Sequence, residues 1–247
     1  MQLRFTALRR RVAALTVAAV AGPGLAICAA LPAHASIPSH PTWESSGAFG
    51  IWTTGKFDIY NNEWNTSEAG PQTIWAYSHR HWGVESTQTD TTSVKTYPSV
   101  QQNYNNPRVT SLSQLHSTFQ QSMPSAKDFD AEAAYDLWLN KFSIEVMMWV
   151  DNHGQRPAGH VIRHVTFYGQ KFSLWQAGNN LYSFKLIGKH ETKGTVHLLT
   201  MLDWLIKQHY LSSTVTLRQV NFGWEICSTD GKPMDFTVTN YSLATKR

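Results

Sequence analysis

Nine short segments between Lys56 and Tyr241 alternate apolar with polar side chains at a period of two, and turn residues separate them. They are Lys56–Tyr60, Thr73–Tyr77, Ser93–Tyr97, Tyr135–Leu139, Ser143–Val150, Val161–Tyr168, Leu181–Leu186, Thr214–Asn221 and Asp235–Tyr241. Successive side chains of an extended backbone point to opposite faces, so this period belongs to strands with one buried face. The breaks carry Asn61-Asn62, Asn105-Asn106-Pro107, Asp151-Asn152-His153-Gly154, Ala177-Gly178-Asn179-Asn180 and Asp230-Gly231-Lys232-Pro233. These residue types accept or pre-set the dihedrals of tight turns. The pattern predicts an all-β chain, a sandwich of antiparallel sheets or a jelly roll. One stretch departs from it. Val196, Leu199, Met201, Leu202, Leu205 and Ile206 approximate helical spacing and predict one amphipathic α-helix packed against the sheets.

The N-terminus has the form of an export signal. Arg4, Arg9, Arg10 and Arg11 precede an apolar stretch from Val12 to Leu31, and Ala33-His34-Ala35 supplies a small-x-small cleavage pattern. Residues 1–35 are therefore expected to be removed and the protein secreted, with no membrane attachment afterwards. Residues 36–46 follow as a short leader, and 47–247 form one domain, expected to be a monomer. Removal changes the electrostatics. The whole chain has 21 basic and 17 acidic residues, but the signal holds four arginines and no acid, leaving 17 of each. A neutral domain gives no support to nucleic-acid or anionic-membrane binding. Cys28 leaves with the signal, so Cys227 remains alone and no internal disulfide is possible. Only 15% of the chain is charged, against about 25% in ordinary domains. With ten tryptophans, all outside the signal, that composition suits a neutral, hydroxyl-covered partner such as a polysaccharide.

Two strand-like segments each carry one glutamate among apolar neighbours. In Ile144-Glu145-Val146-Met147-Met148-Trp149, Glu145 shares a face with Met147 and Trp149; in Phe222-Gly223-Trp224-Glu225-Ile226-Cys227, Glu225 shares one with Gly223 and Cys227. A carboxylate so placed is costly unless paired or used. Either each is satisfied separately, by an arginine or by backbone amides, or both face one groove. Two carboxyls on a common groove are the minimal equipment for cleaving a glycosidic bond. Asp136 is a third candidate, on a face with Trp138 and Asn140. His79 and His81 alternate on one segment but have no third ligand at metal-binding spacing, so no metal is assigned. No Gly-x-Ser-x-Gly elbow is present for serine catalysis.

Five pieces in order resemble glycoside hydrolase family 12, secreted retaining β-1,4-glucanases with a concanavalin-like jelly roll. They are Thr54 to Trp64 with its Asn61-Asn62-Glu63-Trp64 turn, Val94 to Val100, Ala134-Tyr135-Asp136-Leu137-Trp138, Glu145 to Trp149, and Gly223-Trp224-Glu225. The resemblance implies that Glu145 is the nucleophile and Glu225 the acid/base, about 5–5.5 Å apart as retaining chemistry requires. It implies that Asp136 orients Glu145, that Asn62, Trp64, Met147, Trp149 and Asn180 bind substrate, and that no cofactor is needed. The expected partner is a β-1,4-glucan polysaccharide, either a cellulose-type chain or xyloglucan; a lectin-like binding protein on the same fold is the alternative of a different class. Two departures stand out. Only eight residues separate Asp136 from Glu145, which trims a loop beside the cleft, and Asn65 replaces a usual glycine. Asn65 is expected to keep that glycine's left-handed backbone and to project toward the groove.

Overall fold

Two sheets face each other across a core of Phe, Tyr, Trp and aliphatic side chains. The computed structural model describes residues 37–247; the expected signal at 1–35 lies outside the described residues. Six strands make the first sheet: β1 (Trp43–Ser45), β4 (Gln72–Ser78), β5 (His81–Ser86), β15 (Met234–Lys246), β7 (Gln114–Ser122) and β13 (Lys193–Val196), in that spatial order. Nine make the second: β10 (His160–Phe167), β11 (Gln170–Ala177), β12 (Leu181–Leu186), β9 (Ile144–His153), β8 (Asp130–Leu139), β14 (Leu217–Ser228), β6 (Ser99–Asn103), β3 (Phe57–Tyr60) and β2 (Ile51–Thr54). Every pair is antiparallel except β12 with β9, which run parallel.

Alternation on the second sheet separates its two faces. Ile59, Val100, Tyr135, Leu137, Val146, Met148, Phe222, Trp224 and Ile226 are all in the core. Trp224 stacks obliquely on Trp82 of the first sheet at 5.0 Å, and its indole N–H donates to Gln121 at 3.2 Å. The intervening residues of the same strands point outward, and that outer face carries the site. Gly223 is needed there. A Cβ at this position would lie 2.0 Å from the Pro98 carbonyl oxygen, so only glycine lets the 97–99 segment cross against β14.

Four expectations change in detail. Ser93–Tyr97 is not a strand. The segment makes one bridge, Thr96 to Ile226, because Pro98 has no N–H to extend a ladder. Lys95 there is fully buried, donating to Thr89 O, Thr91 Oγ1 and the Cys227 carbonyl. The helix, α1 (Leu198–Lys207), begins later than its apolar pattern, since Val196 pairs with Ser117 as the end of β13. Leu198, Met201, Leu202 and Leu205 form its buried stripe, and a left-handed His209 ends it. Asn65 does not hold the left-handed turn; Asn62 does, at φ 43°. The Asn65 side chain instead donates to Val94 O and accepts from Ser67 Oγ, which turns it into the loop. Trp43–Ser45, in the stretch read as a leader, pairs with β4.

Candidate active site

Three adjacent strands of the outer face bring the carboxyls together. β8 lies between β9 and β14. In its register Trp138 sits opposite Glu145 of β9, Asp136 opposite Asn221 of β14, and Glu132 opposite Glu225. Glu145, Glu225 and Asp136 line one open cavity of about 550 Å³ that crosses the strands toward β6 and β3. Tyr60, Trp64, Trp138 and Phe142 supply its aromatic walls, and Asn62, Gln101, Gln219 and Asn221 its amides. A depression of similar volume at Ile206–Ser213 contains no carboxyl.

Glu145 and Glu225 open partly to the cavity while most of their surroundings are protein; Asp136 and Glu132 are buried. Among the described residues no Lys, Arg or His forms an ion pair with any of the four. The carboxyls therefore meet one another instead of cations. Burial, then the charge of Glu225, raises Glu145 to about 7, and a hydrogen bond from Asp136 opposes that rise. Asp136 is held well above the usual carboxylate range by burial and by Glu145. The bond from Asp136 to Glu145 requires a proton on the donor, and the raised Asp136 carboxyl is the group that favours holding one. Glu225 is raised by burial, with a hydrogen bond from Glu132 working against it. Glu132 is raised most strongly by burial and then by Glu225.

Not every sequence candidate borders the cavity. Asn62 and Trp64 do, and Trp64 is 53% exposed. Met147 and Trp149 share the outer face but are buried in a small cluster with Ala134 and Leu181. Asn180 acts through its backbone, whose carbonyl accepts from the Glu145 N–H at 2.8 Å, while its side chain reaches Ser143 O. Cys227 is buried, accepts from Gln155, and burial pushes its thiol up to about 12. That makes it an inert small hydrophobe.

The sequence candidates left out Tyr60, Trp138, Gln101, Gln219 and Asn221 of the cavity wall, and two further residues, Glu132 and Phe142, bear most on the chemistry. Glu132 lies in Ala131-Glu132-Ala133-Ala134 and falls on the Asp136 face by alternation, so the argument made for Glu145 applies to it equally. Phe142 tips the β8–β9 hairpin at φ 73°, following Asn140 and Lys141 at 46° and 56°. It is 47% exposed, lines the cavity, and packs against Trp138 and the Arg218 guanidinium. Three left-handed residues in succession compress the connection between the strands, and no residue pattern announced that an aromatic would be displayed there.

A jelly-roll sandwich with a carboxyl-lined groove across its outer face belongs to the glycoside-hydrolase class. The chain is a member of glycosyl hydrolase family 12, whose family model matches residues 55–246. It is 27% identical over 220 residues to a xyloglucan-specific endo-β-1,4-glucanase A of Emericella nidulans, covering 80% of this chain and 89% of that one. It is 26% identical over 215 residues to an inactive glycoside hydrolase, XLP1, of Phytophthora nicotianae, covering 77% and 87%. Among solved structures, the xyloglucanase domain of NopAA from Sinorhizobium fredii, in complex with cellobiose, superposes with a TM-score of 0.76. That likeness has 24% identity over 84% of this chain and all of that one, and it shows the fold. No helix among the described residues is long and apolar enough to cross a membrane.

Proposed function

We propose that this protein is a secreted endo-β-1,4-glucanase working by retaining double displacement, with Glu145 as nucleophile and Glu225 as acid/base. One observation carries the reading: both glutamates, on separate strands, face one open groove with no cationic partner among the described residues. A carboxyl oxygen of Glu145 attacks the anomeric carbon as the bond to the leaving oxygen breaks, and the proton of Glu225 passes to that oxygen. Water then attacks the same carbon, gives its proton to Glu225, and releases Glu145 as a carboxylate. Asp136 donates to Glu145, which orients its attacking oxygen and favours the anionic form against the rise caused by burial. Met147 and Trp149 pack on the same face of β9 beside Glu145, the Asn180 carbonyl holds the Glu145 backbone from the start of β12, and Asn62 and Trp64 contact the glucan.

The E. nidulans relative makes xyloglucan the second polymer to consider, and the inactive relative makes a non-catalytic glucan-binding protein the contrasting reading. Reducing ends released from soluble cellulose derivatives, mixed-linkage glucan and xyloglucan separate all three. Release from the linear glucans is the expected result; binding without release would rule out the enzyme.

Trp64 and Phe142 present exposed rings to the groove, where the C–H faces of sugars can stack. Trp64→Ala should raise KM about tenfold on polymers and less on short oligosaccharides, because only long chains reach a remote platform. Phe142→Gly should also raise polymer KM, yet leave the melting temperature equal or higher. Glycine relieves a left-handed strain worth about 1 kcal/mol. A polymer KM unchanged in both variants would remove the aromatic platforms from the account.

A further inference from the structure

Glu132 is fully buried, yet among the described residues neither of its carboxyl oxygens receives a hydrogen bond from any N–H or neutral O–H donor. The group it touches is the carboxyl of Glu225, directly opposite in the β8–β14 register. Two ionised carboxylates are acceptors only, so the hydrogen bond between them exists only when one holds a proton. Facing the pair are Glu145 of β9 and Asp136 of β8 on the groove side of Glu225, Cys227 of β14, Asp130 of β8, Tyr97 from the segment before β6 and, beyond β9, Lys185 of β12. None neutralises Glu132 by contact. The thiol is protonated, Tyr97 donates to Ala134 O, and the Lys185 ammonium donates to Gln155 O at 2.9 Å. Asp130 adds only like charge.

We propose that Glu132 is a positioning residue, a permanently neutral carboxylic acid whose O–H donates to Glu225. The proposal rests on the acid/base reading of Glu225. Its use follows from the two steps of that reaction. After Glu225 has given its proton to the leaving oxygen, it is a carboxylate in a buried setting and must survive until water arrives. The Glu132 O–H stabilises that carboxylate and points its free oxygen at the groove. Glu132 keeps its own proton throughout; the proton that moves leaves Glu225 for the glycosidic oxygen and returns from water. A donor to the charged form lowers the pKa of its partner, which is the direction in which Glu132 acts on Glu225.

The test compares Glu132→Leu with Glu132→Gln in the full chain. Leucine removes the donor, so the pKa of Glu225 rises and the basic limb of the kcat/KM–pH profile should move up by about one unit. kcat/KM should fall about tenfold to a hundredfold, the size of a lost hydrogen bond to a charged group. Glutamine retains an N–H donor and should restore the parental limb. A leucine profile that superimposes on the parent, or a glutamine profile shifted as far as leucine, overturns the proposal. A second readout needs no turnover. Difference infrared spectra of the parent against Glu132→Gln at neutral pH should contain the C=O band of a protonated carboxyl. Absence of that band overturns the proposal whatever the activity; its presence in a protein that cleaves no glucan would sustain the neutral Glu132 and reject the enzyme.

Discussion

Glu145→Gln and Glu225→Gln should each lower turnover on soluble glucan by on the order of 10³-fold or more while leaving the fold and glucan binding intact. The amide matches the carboxyl in shape but can neither attack carbon nor exchange a proton, so binding surfaces such as Trp64 are untouched. The two losses should not add in the double variant, because nucleophile and acid serve the same bond-breaking step. Turnover within tenfold of the parent in either single variant would exclude that residue from the chemistry.

The same substitution should make the protein more stable above neutrality. Glu145, Asp136, Glu132 and Glu225 all bind their protons more tightly in the folded protein than in the unfolded chain. Stability is then greatest at acidic pH and falls as pH rises through the interval between the two pKa values. For Glu145 that interval runs from 4.5 to about 7, a loss of roughly 3 kcal/mol once complete. The other three, raised in the fold as well, add to the decline in the same direction. Glu145→Gln removes its share, so its melting temperature at pH 8 should exceed the parent's by on the order of 5 °C. Near pH 4, where the parent's glutamate is protonated too, the two should melt together. An equal or lower melting temperature for the variant at pH 8 would mean that Glu145 is not the desolvated, cation-free group described above. Inactivity joined to higher stability is the expected mark of a site held at a cost to the fold.

Much of this was legible in alternation alone. Tyr135, Leu137 and Leu139 against Asp136 and Trp138 separated the two faces of β8, and the same reading put Glu145 and Glu225 on the faces opposite their apolar neighbours while leaving open whether the two met in one groove. What alternation could not supply is which strands become neighbours. Glu132 and Glu225 are 93 residues apart in sequence and meet only because β8 and β14 pair in one particular register. Nor does alternation distinguish an outward residue that stays open from one that is covered, which is why Trp149 and Met147 lie buried on the groove face while Phe142 stands out of it. Ser93–Tyr97 shows a third limit. Its alternation is genuine, but a proline and a buried lysine anchor a loop where the pattern alone reads a strand.

The most direct measurement is proton NMR of the first sugar released from a soluble β-1,4-glucan, recorded before mutarotation. Attack by Glu145 followed by attack of water inverts the anomeric carbon twice, so the earliest product should carry the β configuration. An α-anomer appearing first would mean that water attacks directly and that Glu145 never bonds to the sugar, which would contradict the double displacement assigned to this groove.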